Sequence, residues 1–145
     1  MTVVFFDLGE TLVTAPRRWL PGARELLRSL QHKGLRLGVI SNTGDLQSRQ
    51  EILGLLPPDF EQQPFESSLL LFSSEVGTEK PNRAIFEAAV ARAAVDVSEC
   101  LYCSENVVET LMAQQVGLLT VRVQTAPHSD LGTLGRDLDR FLALA

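Results

Sequence analysis

Short apolar runs alternate along the chain with longer amphipathic stretches. TVVFF comes first, then PGARELLRSLQHKG, then LRLGVI, then a stretch with helical spacing from about Asp45 to Gly54. SSLLLF, PNRAIFEAAVARAA, ECLYC, NVVETLMAQQVG, LLTVRV and DLGTLGRDLDRFLALA complete the series. The short runs do not alternate apolar with polar, as expected of strands buried on both faces of a parallel sheet. The intervening segments have the helical period. Leu26, Leu27 and Leu30 share one face of the first, which closes on a lysine and Gly34. Strands alternating with helices predict βαβ units, hence an α/β fold with a doubly wound, mainly parallel sheet and helices on both faces. No repeat, low-complexity tract or linker divides the 145 residues, so residues 1–145 are read as one domain.

Such a sheet binds ligands at the carboxyl ends of its strands, so the residues just after each apolar run matter most. Asp7 follows the first run, and Ser41, Asn42 and Thr43 follow LRLGVI. Lys80 comes a few residues after SSLLLF, before a Pro-initiated helix. After ECLYC come Ser104, Glu105 and Asn106, with Glu109 one helical turn later. An acid at the end of an apolar strand is either a turn residue or a reactive group, and a hydroxyl, an ammonium and two further carboxylates on the same edge select the second. An ionised Asp can attack phosphorus or carbon and form a covalent intermediate. A phosphoryl group brings charged oxygens that need positive charge and donors around them. Lys80 can supply the charge, and Ser41 with the backbone N–H groups of the following turn can supply the donors. Clustered carboxylates repel one another unless a divalent cation sits among them, and an all-oxygen set completed by waters suits Mg²⁺. Glu105 and Glu109 also fit a metal-free reading, as favourable charges in a helix's first turn.

Composition narrows the classes. With 45% hydrophobic and 21% charged residues the chain is an ordinary globular protein. A net charge of −5 and thirteen scattered Lys and Arg residues exclude a general affinity for nucleic-acid phosphates. MTVVFF has no positive n-region and Asp7 interrupts the apolar run, so neither a secretory signal nor a membrane span is expected, and the expected location is cytoplasmic. Cys100 and Cys103 form a lone CxxC within a predicted strand, where positions three apart face opposite sides; they read as core thiols rather than metal ligands. Trp19 reads as a partly buried packing residue, His32 as a charge near a helix C-terminus and His128 as a loop residue.

FDLGETL, VISNT, GTEKPNRAIF and LYCSENVVETLMAQQVG, in this order, resemble the four motifs of the haloacid dehalogenase (HAD) superfamily. The likeness runs from about Thr2 to Val123 and includes the lead-in PGARELLRSLQHKGLRLGVISN. It implies a Rossmann-like fold and a Mg²⁺-dependent phosphate monoester hydrolase. Asp7 would be the nucleophile, forming an aspartyl-phosphate, and Gly9 would offer its backbone carbonyl to Mg²⁺. Ser41 would hold the transferring group, with Asn42 beside it, and Lys80 would balance charge. Glu105, with Glu109 behind it, would complete the metal site.

Three departures from the family pattern matter. The family's phosphatases commonly carry a second Asp two residues after the nucleophile, as general acid and base, and Gly9 stands there instead. Glu10 is adjacent and acidic, but the next residue along a loop should point elsewhere. Positioned proton transfer contributes roughly 10²–10⁴-fold, so the loss bears on turnover. In the fourth motif Glu105 and Glu109 replace aspartates and Ser104 a glycine, which tests the tight ligand distances of Mg²⁺. Finally, 33 residues separate Asp7 from Ser41 and 38 separate Ser41 from Lys80, too few for the cap domain many relatives use. An open site is expected, flanked by the loop carrying Arg17, Arg18 and Trp19. The resemblance associates capless members with bulky phosphorylated substrates, or with oligomers that cover the site. Two rival readings stand beside the phosphatase: a fold-retaining binding or regulatory module without turnover, and a dehalogenase, which also lacks the second acid.

Overall fold

Val3, Val4, Phe5 and Phe6 have no solvent exposure, and the strand they form, β1 (Val3–Phe6), is the middle of the sheet. The computed structural model of the protein describes residues 2–123 together with Leu131, Gly135, Arg136 and Leu138. His128 and most of the final amphipathic stretch lie outside the described residues; Leu131 and Leu138 are buried in the core. After β1 the chain makes a small hairpin, β2 (Val13–Thr14) and β3 (Arg18–Trp19), then α1 (Ala23–His32) and β4 (Arg36–Ser41). It continues through α2 (Arg49–Leu53), β5 (Phe65–Phe72), the single turn α3 (Ser73–Val76) and α4 (Arg83–Ala93). β6 (Cys100–Ser104), α5 (Val107–Val116) and β7 (Leu119–Arg122) follow.

The five-stranded sheet has the order β5-β4-β1-β6-β7, with every pairing parallel. The order reverses at β1, where doubly wound sheets place their ligands. Side-chain alternation along the strands divides the core in two. Val3, Phe5, Ile40 and Tyr102 pack on one face with Ile85, Phe86 and Ala89 of α4 and Ala113 of α5. Val4, Phe6, Val39 and Leu101 pack on the other with Leu26, Leu27 and Leu30 of α1 and Ile52 of α2. Cys100 belongs to the first cluster and Cys103 to the second; both are buried free thiols.

Gly38 is where β4 comes closest to its neighbours. A Cβ there would lie 2.7 Å from the Leu69 carbonyl oxygen and 2.8 Å from the Phe5 ring, and the β4–β5 register shifts between Leu37 and Val39.

The helical spacing from Asp45 yields a shorter helix than the sequence predicts. Gly44 takes a left-handed φ of 56°, and α2 starts only after Ser48, whose side chain accepts the Glu51 N–H at 3.2 Å. Likewise α4 is started by Asn82, which accepts the Ala84 N–H at 2.9 Å, so Pro81 precedes the cap instead of opening the helix. The two intervals flagged as short contain only elements of this one fold, and no separate cap forms between Asp7 and Lys80. No described helix is long and apolar enough to cross a membrane.

Candidate active site

Asp7 stands one residue past β1, in step with Val3 and Phe5, and therefore emerges on the face covered by α4 and α5. Its backbone N–H donates to the Cys103 carbonyl at 2.9 Å, extending the β1–β6 ladder past the strand. Oδ1 accepts from the Leu8 N–H at 2.8 Å and from Lys80 Nζ at 2.8 Å. Oδ2 has only a long bond, 3.4 Å, from the Ser104 hydroxyl.

Lys80 lies just ahead of α4 with its side chain 1% exposed. Its ammonium has three donors and three partners: Asp7, Glu109 Oε1 at 2.8 Å and the Tyr102 hydroxyl at 3.0 Å. Tyr102 in turn donates to Glu109 at 2.8 Å. Asn42, just past β4, fixes the Lys80 backbone from both sides, accepting its N–H at 2.8 Å and donating to its carbonyl at 2.9 Å. Asn106 caps α5 by accepting the Glu109 N–H at 3.0 Å, which fixes the start of the helix that carries Glu109.

The charges do not balance locally. Burial pushes the Asp7 carboxyl above its usual range; Lys80 opposes this, and Glu109 adds to it. Glu105 is raised too, first by burial and then by the negative charges of Asp7, Glu109 and Glu10. Burial, with Asp7 and Glu109 nearby, holds the Tyr102 phenol well above its usual value, so it serves as a neutral hydroxyl.

The structure thus brings Asp7, Lys80 and Glu109 into direct contact and ties Asn42 to them through the backbone. Ser41 ends β4, buried, with its hydroxyl bonded to no described residue. Glu105 is half-buried; Thr11 accepts its N–H at 3.3 Å, while its carboxylate accepts nothing from the described residues. Gly9 does not occupy the left-handed region, and a Cβ there would meet nothing within 4 Å. Glu10 has φ 58° and accepts the Thr14 hydroxyl at 2.7 Å, which engages its carboxylate with the hairpin. The hairpin itself is pinned: Trp19 stacks on Phe60 at 6.1 Å and donates to Asp59 at 2.7 Å, and Arg17 donates to the Leu56 carbonyl at 2.8 Å.

Sequence reasoning missed Tyr102 and gave Ser104 no role. The available signal was parity. Tyr102 is two positions before Ser104 and pairs with Phe5, so both share the face on which Asp7 emerges. A tyrosine inside an otherwise apolar strand also needs a partner for its hydroxyl.

Among the described residues no three His, Cys, Asp or Glu side chains form a ready-made metal cluster. A set of fewer side chains is nevertheless available. Asp7 Oδ2 is only weakly engaged, and neither the Gly9 carbonyl nor the Glu105 carboxylate accepts a bond from the described residues. These are all hard oxygen donors; burial raises the Asp7 and Glu105 carboxyls, and the nearby Glu109 adds to both. Such a donor set fits Mg²⁺ with waters completing its shell.

A family model described as haloacid dehalogenase-like hydrolase matches residues 2–117. The chain is 33% identical over 105 residues to the glyceraldehyde 3-phosphate phosphatase of Pyrococcus abyssi, a match covering 72% of this chain and 42% of that protein. The chain therefore spans less than half the length of that relative. Among solved structures, an HAD phosphatase from Thermococcus onnurineus superposes with a TM-score of 0.78 at 14% identity, covering 98% of each chain. An HAD family enzyme from Bacteroides thetaiotaomicron, an aspartate-to-alanine mutant in complex with magnesium and inorganic phosphate, superposes with a TM-score of 0.61. That match, at 23% identity, covers 76% of this chain and 55% of the other.

Proposed function

The chain belongs to the haloacid dehalogenase-like hydrolase family, and from that premise we propose that it hydrolyses phosphate monoesters through an aspartyl-phosphate on Asp7. The observation that carries this reading is the buried Asp7–Lys80 pair, 2.8 Å apart, at the edge where the strand order reverses. Lys80 and the Leu8 N–H orient the carboxylate through Oδ1, and in this scheme one carboxylate oxygen attacks while the other is left to the metal. Attack on phosphorus breaks the ester P–O bond, and the alcohol leaves with a proton from water, since Gly9 offers none. Water then attacks the phosphorus of the aspartyl-phosphate, releasing inorganic phosphate and restoring the Asp7 carboxylate.

The unbonded Ser41 hydroxyl donates to the phosphoryl oxygens in this scheme. Lys80, saturated by Asp7, Glu109 and Tyr102, acts mainly by keeping Asp7 ionised against its burial. Asp7, the Gly9 carbonyl and Glu105, with Glu109 behind them, would hold a Mg²⁺ that neutralises phosphoryl charge. A phosphorylated small molecule is the substrate class supported by the name of the Pyrococcus relative, and the absence of a cap between Asp7 and Lys80 also admits larger phosphorylated substrates.

A second reading, a module that binds phosphorylated ligands without turnover, is favoured by one observation: no acid stands at Gly9, and Glu10 is engaged by Thr14. A panel of phosphate esters assayed with and without Mg²⁺ separates the two. The phosphatase reading expects Mg²⁺-dependent phosphate release that vanishes in Asp7→Asn, a nearly isosteric change that keeps the fold. Asp7→Asn activity within a few-fold of wild type overturns the assignment, and ligand binding with no release on any ester selects the binding module.

A further inference from the structure

A cavity of about 500 Å³ opens beside the proposed phosphoryl site, within the size range of small-molecule pockets. Gly9 and Ser41 form part of its wall, so it is continuous with the groups that would hold the phosphate. Most of the remaining wall is apolar, from Val13, Leu46, Ile52, Leu55, Leu56 and Phe72. We propose that this cavity seats an apolar organic group, so that the preferred ligand is the phosphate monoester of an alkyl or aryl alcohol rather than of a sugar or polyol. This deepens the phosphatase reading and rests on it for the placement of the phosphoryl group.

The polar groups in the wall support the same choice. The Asn42 amide is committed to the Lys80 backbone through both its oxygen and its nitrogen. The Thr43 N–H bonds Ser73 at 2.8 Å, and the Thr43 hydroxyl bonds Ser74 at 2.7 Å. With Ser41 assigned to the phosphoryl oxygens, only Asp45 remains as a polar side chain in that wall, and its charge disfavours a second anionic group on the ligand. Apart from one that reached Asp45, the hydroxyls of a sugar entering this space would lose water without finding partners, which is costly. An alkyl or aryl group loses nothing by the same transfer. Leu55, 62% exposed, is one of the few large apolar side chains left in solvent among the described residues, and it stands in this wall, where a bound apolar group would cover it.

The test compares ethyl, propyl and butyl phosphate with glycerol phosphate. Glycerol is the better leaving group, so intrinsic reactivity works against the expected order. About 0.8 kcal/mol per buried methylene corresponds to about a fourfold rise in kcat/KM at each added carbon. Leu55→Asp, on the exposed rim where the fold tolerates it, should lower the butyl-to-glycerol ratio by about tenfold. A calorimetric titration with butylphosphonate and 2,3-dihydroxypropylphosphonate reads the same cavity without turnover. Tighter binding of butylphosphonate, weakened by Leu55→Asp, supports the proposal even if no ester is hydrolysed; in that case it is the phosphatase reading that fails. Equal kcat/KM and equal Kd for the butyl and polyol ligands overturn it, as does a preference that survives both Leu55→Asp and Leu46→Asp; Asp7-dependent hydrolysis would then still stand.

Discussion

Lys80 carries a full charge almost out of reach of water, and it can do so because each ammonium hydrogen has an acceptor. Glu105 presents the opposite case, a carboxylate crowded by Asp7, Glu109 and Glu10 with no donor among the described residues. Its raised folded value means that the folded state holds this proton more tightly than the unfolded state. Its contribution to stability is therefore fully present below the usual carboxylate value and is lost as pH rises through the folded value. In metal-free buffer near pH 7, Glu105→Gln should melt about 1–2 °C above wild type, and the difference should shrink as pH falls towards 4.5, the ordinary glutamate value. Mg²⁺ should reverse the order, raising the melting temperature of wild type by mass action and that of Glu105→Gln much less. An equal Mg²⁺ shift in both proteins would remove Glu105 from the metal site. Gly9 supports a second prediction. The open space at its Cβ position and a φ outside the left-handed region let an aspartate stand there without backbone strain. Gly9→Asp should keep its melting curve and raise hydrolysis of alkyl phosphates more than of aryl phosphates, by up to about 10²–10⁴-fold. A well-folded variant with no gain on either class would show that a missing acid is not what limits turnover.

The strands are the elements that the apolar runs announced most clearly, because a strand buried on both faces needs no polar position. Since topology sends every strand's carboxyl end to one edge, Asp7, Ser41 and Ser104–Glu105 group together from the sequence alone. Helix starts were harder to read. Ser48 and Asn82 decide where α2 and α4 begin through single side-chain hydrogen bonds, which apolar spacing does not register. The partners of Lys80 were only partly visible for a related reason: Tyr102 reads as strand core, and only the β1–β6 register aims its hydroxyl at the ammonium. Gly38 looked like any glycine in a strand, yet the sheet depends on its missing side chain. Gly38→Ala would press a methyl against the Leu69 backbone and the Phe5 ring. Its urea midpoint should fall by an amount equivalent to about 1–3 kcal/mol with m unchanged, and a midpoint equal to wild type would mean that β4 and β5 can part freely.

Across the whole molecule, both gaps between the first three motifs are filled by the fold itself, so the sheet edge is left without a cap between Asp7 and Lys80. On the phosphatase reading, a nucleophile at Asp7 with no proton donor at Gly9 would burden both half-reactions. The leaving oxygen would depart without positioned protonation, favouring activated aryl esters, and the water that cleaves the acyl phosphate would not be activated. The covalent intermediate should consequently accumulate. Intact-mass analysis of wild-type protein, quenched rapidly after mixing with an aryl phosphate and Mg²⁺, tests this most directly. The account predicts a species heavier by one phosphoryl group, mapped to Asp7 and absent from Asp7→Asn. A phosphoryl label on another residue, or one that persists in Asp7→Asn, would contradict it.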